Sequence, residues 1–212
     1  MYLPPHFEET DLSALHGLIR AHPLATLVVA GADGLNANHL PFLLRESGSD
    51  NGSLQAHMPR ANPLSQALSG GVDALAIFHG PEGYITPSWY PTKQETGKVV
   101  PTWNYAVVHA HGRLELVDDA DWVRAQIDGL TRQNEARFAN PWQVSDAPAA
   151  YIERMVRGLV GLELVITDLQ GKTKADQNQP AANQAGVVDG LKQLGDDNSL
   201  ALAALTERQD AN

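Results

Sequence analysis

The clearest chemistry in the chain lies in four residues that follow a strand-like stretch: Arg60-Ala61-Asn62-Pro63. Asn is a favoured helix N-cap and Pro is favoured at the first helical position, so Met58 to Pro63 reads as a strand leaving for a helix. The free amides and the dipole at such a start favour an anion, and Arg60 can offer phosphate oxygens a planar pair of donors. Asn-Pro helix starts are common, however, and most of them bind nothing. His39 and His57 each sit on a predicted strand made otherwise of largely apolar residues. A buried imidazole needs partners for both nitrogens, since leaving one unsatisfied costs about 1–3 kcal/mol. Backbone groups can be those partners, and a cofactor with ring carbonyls and ring nitrogens would serve equally well. Pro41, on the same predicted strand as His39, removes an amide, which predicts either a sheet edge or a ligand beside the gap.

A second concentration of interest runs from Gly80 to Leu116. It begins as a turn-rich loop punctuated by Gly80, Pro81, Gly83, Pro87 and Pro91, and ends as a strand alternating along Ala106, Val108, Ala110 and Gly112. Between them sit Tyr84, Trp89, Tyr90, Trp103 and Tyr105. A solvated loop gains nothing from exposed rings, so one this aromatic is expected to fold against its own core, a second copy of the chain, or a ligand. Tyr84, Tyr90 and Lys98 could line a substrate pocket.

Other motifs fall away. Gly171-Lys172-Thr173 resembles the end of a phosphate-binding P-loop, but Ile166 stands where the first glycine is required. No GxGxxG, GxSxG or HExxH occurs. His109 and His111 share one face of a strand, with no third metal ligand at recognisable spacing. No catalytic residue and no metal site is assigned. The chain lacks cysteine, which removes disulfides, thiolate metal sites and cysteine nucleophiles. Its 15 Lys and Arg against 25 Asp and Glu give a formal charge of −10, which disfavours direct DNA binding through phosphate neutralisation. Without a basic, apolar leader or an apolar run of about 18 residues, a cytoplasmic protein without membrane spans is expected.

The elements that must position these residues follow from periodicity. Thr10 reads as the cap of a helix to Arg20, and Ala25–Ala30 as a buried strand. Gly31-Ala32-Asp33-Gly34 is a turn into a second strand, Leu35–Arg45, and Leu54–Met58 is a third. Val72–Phe78 is a fourth, Val99–Leu116 a long fifth, and Val160–Ile166 a last strand. Asp118 or Asp119 caps a helix to about Asn134 that buries Trp122, Ile127 and Leu130, and Ala149–Arg157 forms another helix. With 43% hydrophobic residues in 212, the chain can build one substantial core. The expected architecture is mainly β with flanking helices, a closed or nearly closed antiparallel barrel over 1–170. A helical tail, 171–212, has helices near Val187–Leu194 and from Ser199, both too short to persist undocked.

With these residues in view, the chain closely resembles the PaiB family, described as FMN-binding negative transcriptional regulators with a split-barrel fold. Four segments carry the resemblance. They are Met1-Tyr2 with Pro4 and Phe7; His57 with Arg60-Ala61-Asn62-Pro63; Thr86-Pro87-Ser88-Trp89-Tyr90 followed by Pro101-Thr102-Trp103-Asn104-Tyr105; and Gly171-Lys172 leading to Gln177-Asn178. The family pattern has Ser before the Gln-Asn pair and a basic residue after it, where this chain has Asp176 and Gln179. Resemblance to the wider pyridoxamine-phosphate-oxidase-like class implies a homodimer with FMN at the subunit interface. It implies phosphate contacts from Arg60, Ala61 and Asn62, ring contacts from Asn38, His39, Pro41, His57 and Met58, and Trp103, Asn104 and Tyr105 reaching over from the opposite subunit. The implied role is negative regulation or flavin-dependent sensing. The alternatives are a flavin-dependent oxidoreductase acting on a small substrate and a haem-binding split barrel.

Overall fold

Small apolar residues at every second position carry most of the sheet. The structure, a computed structural model, describes residues 1–31, 34–68 and 70–209. The elements in chain order are β1 (Glu8–Glu9), α1 (Leu12–Ala21), β2 (Leu24–Gly31), β3 (Gly34–Pro41), β4 (Leu43–Arg45), β5 (Ser53–Pro59), α2 (Leu64–Ala67), β6 (Val72–Ile85), α3 (Thr92–Thr96), β7 (Thr102–Val117), α4 (Ala120–Glu135), α5 (Ala149–Arg157), β8 (Leu159–Lys174), α6 (Ala181–Leu194) and α7 (Asp197–Gln209). The strands form one sheet in the order β3-β2-β6-β7-β8-β5-β4, with β1 paired to β8, and every register described is antiparallel. Two compact units divide the chain, one built from Met1–Leu18, His79–Val108 and Gln170–Asn212, the other from Ile19–Phe78 and His109–Leu169. No helix among the described residues is long and apolar enough to cross a membrane.

In the second of these units, Ala25, Leu27 and Val29 of β2 are buried while β3 is exposed along most of its length. Gly31 faces Gly34 in the β2–β3 register, and Ala32 and Asp33 of the expected turn lie outside the described residues. β3 ends the sheet, so the missing amide of Pro41 sits at an edge, as its chemistry requires. The single strand expected over Leu35–Arg45 is broken at Phe42. Its amide donates to Pro23 O at 2.8 Å, and its fully buried ring meets Phe78 edge to face at 6.1 Å. β4 then pairs with β5, which pairs with β8 so that His57 stands opposite Gly161. Gly161 makes room for Trp122 of α4, because a Cβ there would lie 2.4 Å from the indole ring. Asp119 caps α4 by accepting from the amides of Asp121 and Trp122 at 2.8 and 3.0 Å. The buried face is Val123, Gln126 and Leu130, whereas the expected Trp122 and Ile127 are only half-buried.

In the first unit, Asp11 rather than Thr10 caps α1, accepting from Ser13 N at 3.1 Å and Ala14 N at 3.3 Å. β6 runs on through Gly80, Pro81 and Gly83 to Ile85 instead of ending at Phe78. Those glycines serve packing: a Cβ at Gly80 would come within 3.0 Å of Leu18, and one at Gly83 within 3.0 Å of Leu202. β8 likewise continues past Ile166 to Lys174. α6 begins at Ala181, six residues before the expected start, α7 begins at Asp197, and both are docked. Val187, Leu191, Leu202 and Leu205 share a core with Ile85, Tyr90 and Ala175. The aromatic stretch is thus partly accounted for by its own core, with the Trp89 ring lying against Gly190.

Candidate ligand site around Arg60

β5 delivers the residues of the first candidate site. His57 is half-buried, and its Nδ1 lies 2.7 Å from Gln126 Oε1, while Gln126 Nε2 donates to Gln55 O at 3.2 Å. The imidazole is therefore held by a buried amide from α4 rather than by backbone. Met58, one residue on, is fully buried in the core. His39 differs from the buried residue expected: it is exposed on the edge strand, with Nδ1 3.2 Å from Thr26 Oγ1 directly across the β2–β3 register. Pro41 is half-buried beside the break at Phe42.

After Pro59 the backbone turns, with Arg60 N donating to Gly158 O at 2.8 Å. The Arg60 guanidinium grips Asp118 with two prongs, Nη1 to Oδ2 at 2.8 Å and Nη2 to Oδ1 at 2.6 Å, and Nη2 also reaches Leu159 O at 3.2 Å. The hydrogen bonds to Arg60 hold the Asp118 carboxyl below the usual range and push the guanidinium above its own. Asn62 Nδ2 donates to Asn38 Oδ1 at 3.0 Å, bringing the two expected Asn residues side by side. Ala61 is exposed between Arg60 and Asn62 in sequence.

The helix expected after Asn62-Pro63 is present, but the free amides expected at its start are not. α2 is only four residues long, and its first amides are already used: Leu64 N donates to Asn62 Oδ1, Ser65 N to Asn62 O and Gln66 N to Pro63 O. A single turn with satisfied amides has no useful dipole. What remains for an anion is the Arg60 fork.

Trp103, Asn104 and Tyr105 belong to the other unit. Trp103 is exposed and meets Tyr84 edge to face at 6.3 Å. Lys172 Nζ stands 5.4 Å above the Tyr105 ring. Asn104 is fully buried. Its Nδ2 donates to Asp176 Oδ2 at 2.9 Å, while its Oδ1 has no hydrogen-bond partner among the described residues. Asp176 is 2% exposed, has φ 60°, and accepts a long contact of 3.5 Å from Tyr90 OH. Burial pushes the Asp176 carboxyl up, against the opposing pull of Asn104, Lys174 and Tyr90. Burial, then the charge of Asp176, pushes Tyr90 up to about 12. Burial also lowers Lys174, whose Nζ donates to Thr102 Oγ1 and Trp103 O. Of the three residues expected to line a substrate pocket, Tyr90 is instead buried, and Tyr84 and Lys98 are exposed.

His109 and His111 do share a face, their rings 6.4 Å apart, and no cluster of three metal-capable residues occurs among the described residues. Sequence reasoning does not find Gln126 as the partner of His57 or Asp118 as the partner of Arg60. Asp118 reads from sequence only as a possible helix cap, a task that Asp119 performs.

A family profile described as "Putative FMN-binding domain" matches residues 1–168. The uncharacterized protein AN0679 of Emericella nidulans is 34% identical, over 99% of this chain and 97% of its own. A Bacillus subtilis protein named Protease synthase and sporulation protein PAI 2 is 26% identical over 98% of this chain and 97% of its own. Among solved structures, the FAD and heme binding protein from Mycobacterium smegmatis superposes with a TM-score of 0.60 at 18% identity, covering 79% of this chain and 73% of that one. The split barrel with flanking helices expected from the sequence is the fold of this chain.

Proposed function

The chain belongs to the PaiB family of FMN-binding domains, and we propose that it holds FMN with the phosphate on Arg60, as a regulatory or sensory flavoprotein. The observation that carries this reading is the two-pronged grip of Arg60 on a carboxylate. A phosphate ester presents the same pair of acceptor oxygens with more charge, so the donor geometry fits it. The Asn38 and Asn62 amides and the amide-held imidazole of His57 are polar groups suited to a flavin ring. When bound, the flavin supplies reversible one- and two-electron transfer, and the chain's part is to bind and orient it.

A second copy of the chain completes the proposal. β3 ends the sheet and is exposed along most of its length, an edge that a symmetric partner would cover. The name of the Bacillus subtilis relative supports a regulatory output. The charge of −10 favours a route through partner proteins over direct operator contact. The test is the absorption spectrum of the purified protein and its titration with FMN. Flavin bands that co-purify or saturate at micromolar FMN support the reading, and a colourless protein that takes up no FMN refutes it. Turnover of a reduced nicotinamide with FMN bound would move the assignment to an oxidoreductase.

A further inference from the structure

We propose that Asp118 sets the ligand specificity of the Arg60 site: it is an internal anion on the guanidinium fork that a phosphate ester must displace. The inference rests on the Arg60 reading and deepens it. Both Asp118 oxygens are spent on Arg60. The neighbouring acid, Asp119, is spent on the amides of Asp121 and Trp122, so the two adjacent carboxylates have separate tasks, one facing the fork and one capping α4.

Asp118 is not the only group that holds Arg60. Its backbone amide is fixed to Gly158 O and its Nη2 to Leu159 O, both on the segment entering β8. One nitrogen of the guanidinium thus keeps an anchor without Asp118, and the effect of Asp118 on an incoming anion is competition and repulsion. The side chains are about half exposed, 48% for Arg60 and 61% for Asp118, so water and ligand reach the pair and exchange is open. A carboxylate can match a phosphate in two hydrogen bonds but not in charge or in its third oxygen. The fork thus yields to a phosphate dianion and holds against weaker anions such as carboxylates. Riboflavin brings no anion to the fork and is indifferent to this exchange, so Asp118 narrows the preference for the phosphorylated flavin that Arg60 creates.

Asp118→Asn tests the inference, because it keeps the shape and the α4 cap while removing the competing charge. The measurement is the dissociation constant of FMN, riboflavin and inorganic phosphate for wild type and variant at fixed low salt. The expected result is FMN and phosphate bound on the order of tenfold tighter by the variant, with riboflavin unchanged. Weaker or unchanged FMN binding by the variant, or equal tightening of riboflavin, overturns the inference. A wild type that binds FMN no better than riboflavin overturns the Arg60 reading itself, which separates the two failures. Circular dichroism of the variant establishes that α4 is intact.

Discussion

Replacing Asp176 by Asn should stabilise the protein at neutral and alkaline pH, although it removes a buried, hydrogen-bonded group. The carboxyl is 2% exposed, and its donors are Asn104 Nδ2 at 2.9 Å and a distant Tyr90 hydroxyl at 3.5 Å. Lys174 is the charged group that attracts it, but the Lys174 ammonium is committed to Thr102 and Trp103 O. Asn104 Oδ1 meanwhile has no donor among the described residues. One proton on Asp176 removes the buried charge and can satisfy that oxygen, in a reciprocal acid–amide pair. Burial accordingly raises the carboxyl above its ordinary 3.8, so the folded state holds the proton more tightly than the unfolded chain. The resulting stability is complete below about pH 3.8 and is lost as pH rises through the folded value. The side-chain amide introduced by Asp176→Asn would donate to Asn104 Oδ1 at every pH, and asparagine tolerates the positive φ of this position as well as aspartate does. Satisfying a buried acceptor is worth about 1–3 kcal/mol, and for a chain of this size each kcal/mol moves the melting temperature by about 2–4 °C. Thermal melts followed by circular dichroism should place the variant several degrees above wild type at pH 8, with the gap closing toward pH 4. A variant that melts lower at pH 8, or a gap equal at both pH values, would refute the argument.

Other substitutions probe the packing and the polar contacts. Gly190→Ala places a methyl 2.3 Å from the Trp89 ring, so it should destabilise by about 1–3 kcal/mol, read as a lower urea midpoint. Gln126→Leu leaves both His57 Nδ1 and Gln55 O without their partner and should cost about 1–3 kcal/mol in the same assay. Asp119→Ala removes the cap of α4 and should cost about 0.5–2 kcal/mol, with loss of helical signal at lower temperature than wild type.

Local pattern made much of the fold legible. Ala106, Val108, Ala110 and Gly112 alternate inward as read, Ala149–Arg157 is the helix expected, and the edge position of β3 follows from Pro41. The failures share a cause in tertiary packing. Gly80 and Gly83 read as turn residues, yet they lie within β6 because Leu18 and Leu202 occupy the space their side chains would need. Asn62-Pro63 is a genuine start signal, and nothing in the sequence marks that the helix it opens, α2, lasts only four residues. The site is the least legible part. Arg60 meets Asp118 across 58 residues, His57 meets Gln126 across 69, and Asn104 meets Asp176 across 72. Pairings at that separation leave no periodic trace, so residue type alone could nominate Arg60 and His57 but not what holds them.

The central claim is that Arg60 is the phosphate anchor of a flavin site, and the most direct test is a comparison of FMN with riboflavin for wild type and Arg60→Gln. The account predicts micromolar or tighter FMN binding by wild type, on the order of tenfold stronger than riboflavin, with the preference abolished in Arg60→Gln. A wild type without that preference, or a variant that keeps it, would contradict the account.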